Sequence, residues 1–111
     1  MTDALIDEAV FTELADAMGA EFAAELVDTF LSEAPGMFAE LRAAFVGRDA
    51  DNYRRAAHSI KSNADVFGAR ALADQARAME MSELPENDTA IATLDAIYAD
   101  TSAALKARLH D

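Results

Sequence analysis

The sequence predicts an all-α fold, an up-and-down antiparallel four-helix bundle with an additional short N-terminal helix. Three observations carry this expectation. Alanine is abundant while Gly (4) and Pro (2) are scarce, so long stretches run without a helix breaker. Apolar residues recur at steps of three and four in segment after segment, and no apolar–polar alternation is long enough for a strand. The breaks between segments are short, which folds successive helices back on one another. With 111 residues the chain fills one domain with a modest core. Residues 1–111 are therefore read as a single unit, with the covering helix at about 7–18 and the bundle at about 20–110.

Each element has its own signals. Asp7 is placed to cap the first helix, and Ile6 before it to staple onto Phe11. Ile6, Val10 and Leu14 form that helix's apolar edge, and Gly19 stops it. The second run shows Phe22, Leu26, Phe30, Ala34, Phe38, Leu41 and Phe45. Its phase continues past Pro35, so it is one long helix kinked there or two nearly collinear ones. Gly47 ends it and Asp49 caps the third helix, Ala50 to Phe67, which stops at Gly68. A fourth helix follows from Ala69 to about Leu84, with Leu72, Ala76 and Met79 apolar and Pro85 closing it. Asn87 or Asp88 caps the last, whose stripe is Ile91, Leu94, Tyr98, Thr101 and Leu105.

Composition excludes several classes of function. The chain has no cysteine, so disulfides, thiolate catalysis and zinc ribbons are ruled out. No apolar stretch reaches the ~18 residues needed to span a bilayer, and MTDALIDEAV lacks the basic start and apolar core of a signal peptide. A cytoplasmic protein without membrane contact is expected. A net charge of −12 argues against nucleic acid, whose phosphates are bound by cations. The charge is unevenly spread. Residues 1–41 hold ten acids and no Lys or Arg, whereas Arg54 to Arg70 holds four basic residues and one acid, Asp65. That segment is read as a local positive field in an acidic molecule.

One histidine lies inside this segment. Tyr53, Ala57, Ile60, Ala64 and Phe67 are spaced 4, 3, 4, 3 and draw a buried stripe along the third helix. His58 lies off that stripe, on a polar face with Arg54, Lys61, Ser62 and Asp65. An unperturbed imidazole titrates near ~6.5, so much of it is neutral at cellular pH and able to attack phosphorus. A carboxylate accepting from the other ring nitrogen would fix the tautomer. Lys61, one turn away, would offset phosphoryl charge, and Arg54, Arg55 and Arg70 would extend a positive docking rim. No Gly-rich nucleotide loop, Walker-type lysine or acidic metal pocket is present. The chain is thus expected to be a phosphoryl carrier and not an enzyme.

The stretch Ala57, His58, Ser59, Ile60, Lys61, Ser62, Asn63, followed by Gly68, Ala69, Leu72 and Glu80, resembles the histidine-containing phosphotransfer (HPt) domain of two-component phosphorelays. That family's pattern is A-H-x-[aliphatic]-K-G-[small], a Gly about ten residues after the histidine, a Leu in the next helix and a Glu or Gln near its end. The resemblance extends through Phe30, Leu31 and Pro35 and covers roughly residues 5–105. It implies phosphorylation of His58, with Glu80 orienting the ring by motif position. Gln75 is the alternative on hairpin geometry. Ser62 stands where the family usually has Gly: it is still small, and its hydroxyl is either an additional donor to a phosphoryl oxygen or a tolerated surface change.

The implied partners are response-regulator receiver domains, including that of a hybrid sensor histidine kinase. The receiver supplies the aspartate and the Mg2+, and this chain needs no cofactor. A non-phosphorylated helical adaptor that binds receivers or kinases is the alternative. A metal-dependent hydrolase lacks ligands. The apolar stripes are consumed within the bundle, so a monomer is expected. Met18 and Phe22, near the join of the first two helices, are read as core, with partner contact as the alternative. His110 is read as a frayed tail residue.

Overall fold

The computed structural model describes residues 5–109, to which His110 does not belong. Five helices follow in order: α1 (Glu8–Met18), α2 (Ala20–Val46), α3 (Ala50–Val66), α4 (Arg70–Glu80) and α5 (Thr89–Leu109), with no strand among the described residues. The caps form where the sequence places them. Asp7 accepts from the backbone N–H of Ala9 at 3.1 Å and Asp49 from that of Asn52 at 3.1 Å. Asn87, not Asp88, is the side chain that accepts at the start of α5, from the Thr89 N–H at 3.0 Å. Each satisfies a donor that a helix start leaves orphaned. After α2, the left-handed turn conformation falls on Arg48 (φ 56) and not on Gly47 (φ −81). The Arg48 guanidinium holds that turn by donating to the Pro85 carbonyl at 2.8 Å and lying 5.6 Å from the Phe45 ring centroid.

Side-chain pairs give the packing. Phe30 of α2 meets Phe67 at the end of α3, ring centroids 5.5 Å apart. Met37 meets Asn63, so α2 and α3 run antiparallel. Tyr98 of α5 closes on Phe38 at 5.0 Å and edge-on to Phe30 at 6.1 Å, the geometry in which aromatic quadrupoles attract. Burial pushes the Tyr98 phenol above its ordinary 10.0, partly offset by a hydrogen bond with Ser102. Ile60, Leu72, Ile91, Leu94 and Leu105 fill the rest of the core from α3, α4 and α5.

Two expectations need correction. The buried stripe of α2 is Ala23, Val27, Phe30, Ala34, Phe38, Leu41 and Ala44. Phe22 is exposed, and Leu26 and Phe45 are only half-buried. Steps of four residues overshoot a helical turn by about 40°, so a strict four-residue reading rotates off the core toward both ends. Phe22 (43% exposed) and Met18 (49%) are therefore surface residues at the α1–α2 join, not core. Second, α4 stops at Glu80 and not at Leu84, because Met81 takes the capping position and Ser82 bonds back onto the last turn. Of the two alternatives the sequence leaves open at Pro35, the structure has one long helix, with Pro35 inside it at an exposed position.

The α3–α4 turn is fixed by Gly68, at φ 69. Its carbonyl accepts from the Asp7 N–H at 2.7 Å, and the Leu5 carbonyl accepts from the Arg70 N–H at 3.1 Å, so the segment entering α1 is tied to the turn. A Cβ on Gly68 would meet the Asp7 carbonyl oxygen and Val10 Cβ at 2.8 Å each. Gly68→Ala is expected to destabilise the fold by about 2 kcal/mol or more. Gly36, with open space around its Cβ position on α2, should instead gain about 0.5–1 kcal/mol on change to Ala. Urea unfolding of the two variants checks this contrast.

Candidate functional site

His58 sits in the middle of α3 with its ring outside, its side chain 54% exposed. The buried neighbours Ala57 and Ile60 hold the helix against the core and leave position 58 on the outer face. Because α4 returns antiparallel from the Gly68 turn, its last residue, Glu80, arrives beside His58. His58 Nδ1 lies 2.8 Å from Glu80 Oε2. The other carboxylate oxygen, Oε1, lies 3.7 Å from Lys61 Nζ. Glu80 is only 19% exposed and Lys61 26%, so one half-buried carboxylate gathers the imidazole and the ammonium.

The chemistry follows from that contact. A carboxylate only accepts, so Nδ1 carries the proton and donates. In the neutral ring Nε2 then keeps its lone pair, on a side chain that is 54% exposed. Its one hydrogen-bond partner among the described residues is Ser62, whose Oγ lies 3.4 Å away one turn along α3. A neutral imidazole held in this tautomer, with its basic nitrogen toward solvent, is a nucleophile for an electrophile brought from outside.

The remaining sequence candidates separate. Gln75 does not reach the ring: its amide donates to the Ala90 carbonyl of α5 at 3.3 Å. Arg70 pairs with Asp7 at the start of α1, fastening the turn. Arg54, on the His58 face one turn earlier, pairs with Asp51 at 2.8 Å and keeps half its surface. Arg55 makes no ion pair among the described residues; it lines a groove between α2 and α3 with Glu40, Ala43, Gly47, Asn52 and Ser59. Among the described residues no group of three or more His, Asp or Glu is placed to hold a metal ion, and no helix is long and apolar enough to cross a membrane.

Sequence reasoning missed one neighbour of this site. Met81 directly follows Glu80 and is 76% exposed. With Ala50, Tyr53 and Arg54 on α3 and the segment to Leu84, it lines a recess beside the His58–Glu80 pair. Burial pushes the Tyr53 phenol above its ordinary 10.0. The available signal was phase, since Met81 falls off the Leu72–Ala76–Met79 stripe. Extending α4 to Leu84 hid it.

A family model described as the Hpt domain matches residues 25–104. Among solved structures the chain is similar to histidine-containing phosphotransfer protein B (HptB) from Pseudomonas aeruginosa PAO1. That match has 26% identity and a TM-score of 0.89 over 98% of this chain and 97% of that one. No curated protein matches the chain.

The pair predicts a measurable tautomer. Removing the carboxylate in Glu80→Ala should lower the ratio of Nδ1–H to Nε2–H forms by about tenfold, the worth of one hydrogen bond to a charged acceptor. Gln75→Ala should leave it unchanged. Nitrogen-15 NMR of the imidazole reads both.

Proposed function

The chain belongs to the Hpt domain family, whose members are the phosphocarriers of phosphorelays, and from that premise we propose that His58 Nε2 is the atom that carries the phosphoryl group. The donor is the aspartyl phosphate of one receiver domain, such as that of a hybrid sensor histidine kinase. The acceptor is the aspartate of a second receiver. The observation that carries this reading is the 2.8 Å contact between His58 Nδ1 and Glu80, which leaves Nε2 basic on a half-exposed ring.

In the transfer, the Nε2 lone pair forms the P–N bond as the P–O bond to the receiver's aspartate breaks. The electron pair leaves with that carboxylate. The proton stays on Nδ1, where Glu80 offsets the positive charge growing on the ring. Transfers of this kind need in-line placement and charge neutralisation more than covalent chemistry from the protein. Mg2+ and the aspartate belong to the receiver. This chain contributes the imidazole, the Lys61 ammonium, and Arg54 and Arg55 at the rim. The domain spans the whole chain and works as a cytoplasmic monomer, with α2–α5 as the up-and-down bundle and α1 covering one end. A carrier that exchanges partners gains from a small, partly polar contact around an exposed ring, because such contacts release quickly.

Incubation with ATP, a cognate hybrid kinase and a receiver should label the protein with an acid-labile, alkali-stable phosphate, and His58→Gln should abolish it. Label that persists in His58→Gln refutes the assignment. Lys61→Ala should slow transfer by about tenfold, the loss of one charge-assisted contact to phosphate. Arg70→Ala should leave the rate unchanged, since its guanidinium is spent on Asp7.

A further inference from the structure

Among the described residues, Ser62 is the one whose side chain is hydrogen-bonded to Nε2 of His58. Helical serines commonly return their hydroxyl to the carbonyl four residues back. Ser82, just past the end of α4, makes that bond, donating to the Ala78 carbonyl at 2.6 Å. Ser62 makes no such bond. Its Oγ lies instead 3.4 Å from His58 Nε2. With the Nδ1 proton committed to Glu80 at 2.8 Å, Nε2 has only a lone pair to offer, so the hydroxyl is the donor. At 3.4 Å this is a long, weak bond, at the far edge of useful geometry.

We propose that Ser62 is a positioning residue that changes hydrogen-bond acceptor during the reaction and retains the phosphoryl group on His58. This inference rests on the phosphoryl-carrier reading above. In the resting protein the Ser62 O–H points at the Nε2 lone pair and reinforces the Nδ1–H tautomer that Glu80 selects. When that lone pair becomes the P–N bond, Nε2 can no longer accept. The same O–H then turns to a non-bridging phosphoryl oxygen, one bond beyond the nitrogen it has left. Hydrogen bonds to ionised acceptors are roughly twice as strong as those between neutral groups. The exchange therefore replaces a weak bond with a stronger one and stabilises the phosphorylated state relative to the resting state. Lys61 does not substitute for it at rest, because its ammonium faces Glu80 Oε1. A glycine at this position would leave both acceptors to water.

The test needs no partner protein. Potassium phosphoramidate serves as the donor: Nε2 displaces ammonia, the P–N bond to ammonia breaking as the P–N bond to His58 forms. Ser62→Ala keeps the helix and removes the hydroxyl, Ser62→Thr restores a hydroxyl, and His58→Gln is the control. In Ser62→Ala, the nitrogen-15 resonance of Nε2 in the unphosphorylated protein should move toward the value of an unbonded lone pair. The phosphohistidine lifetime, followed by phosphorus-31 NMR, should shorten by about 3–10-fold. Ser62→Thr should hold both near the wild-type values. If either reading in Ser62→Ala stays at wild type, the exchange of acceptors is wrong, while an unlabelled His58→Gln still leaves the carrier assignment standing. Should His58→Gln itself become phosphorylated at the wild-type rate, the carrier assignment and this inference fall together.

Discussion

The bond between Glu80 and the inner nitrogen of His58 is the constraint to which the rest of this molecule answers. The partners are 22 residues apart on two helices, and they meet only if α3 and α4 return on one another in a single register. Gly68 sets that register by taking a left-handed turn that a side chain would strain. The turn is in turn clamped by backbone hydrogen bonds from the Leu5–Asp7 segment. α1, which contributes no side chain to the site, thus acts on it through the hairpin's closed end. The buried faces of α3 and α4, led by Ile60, Leu72, Ala76 and Met79, keep the two helices from sliding. Imidazole orientation is here a product of core packing.

Charge at the site differs from the charge along the chain. Counted in sequence, Arg54 to Arg70 is four basic residues against one acid. In space, Arg54 faces Asp51, Arg70 faces Asp7 and Lys61 faces Glu80. The exposed Arg54 pair and the partly exposed Arg70 pair contribute only about 0–1 kcal/mol each, whereas the half-buried Lys61–Glu80 pair is loose, at 3.7 Å, and so is open to exchange for a stronger partner. On the proposed carrier reading, a dianionic phosphoryl group beside Nε2 would be such a partner for Lys61, which need only turn away from an oxygen 3.7 Å distant. The remainder of the surface is acidic, and its field is screened within about 8–10 Å at physiological salt. An approaching protein therefore experiences the basic rim only near contact, which suits orientation at close range better than long-range steering.

Much of this was legible from the residues, and what was not has physical causes. Asp7, Gly19, Asp49 and Gly68 mark helix ends because capping and left-handed turns are local chemistry, read within four residues. The polar face of α3 follows equally from local periodicity. The choice between Glu80 and Gln75 does not, since both lie on α4 and the register of a helical hairpin depends on packing. The structure places Glu80 at the ring and sends Gln75 to Ala90 on α5. The engagement of Arg70 by Asp7 joins positions 63 residues apart and has no local signal. Phe22 and Met18 read as core but are exposed, because hydrophobicity says what a residue prefers, not whether a neighbouring helix extends far enough to cover it. Met81 escapes for a related reason: Pro85 marks a helix end from local sequence, whereas α4 stops earlier, at Glu80.

A carrier that passes a phosphoryl group between two aspartates faces a requirement that an enzyme does not. Its charged state must be neither a sink nor a summit, because the group has to arrive and leave through the same nitrogen. A deep, fully enclosed pocket would fail, since each additional charge-assisted bond in it deepens the bound state. The site built here is shallow, with a half-exposed ring and one half-buried carboxylate behind it. Its lysine is shared with that carboxylate. On the proposed carrier reading Glu80 works in both directions: it would stabilise the ring's positive charge when the P–N bond is present and hold the productive tautomer when it is absent. With the large terms so balanced, differences of about 1.4 kcal/mol, tenfold in an equilibrium constant, decide on which residue the phosphate rests. At such a balance point a single hydroxyl one turn along the helix carries weight.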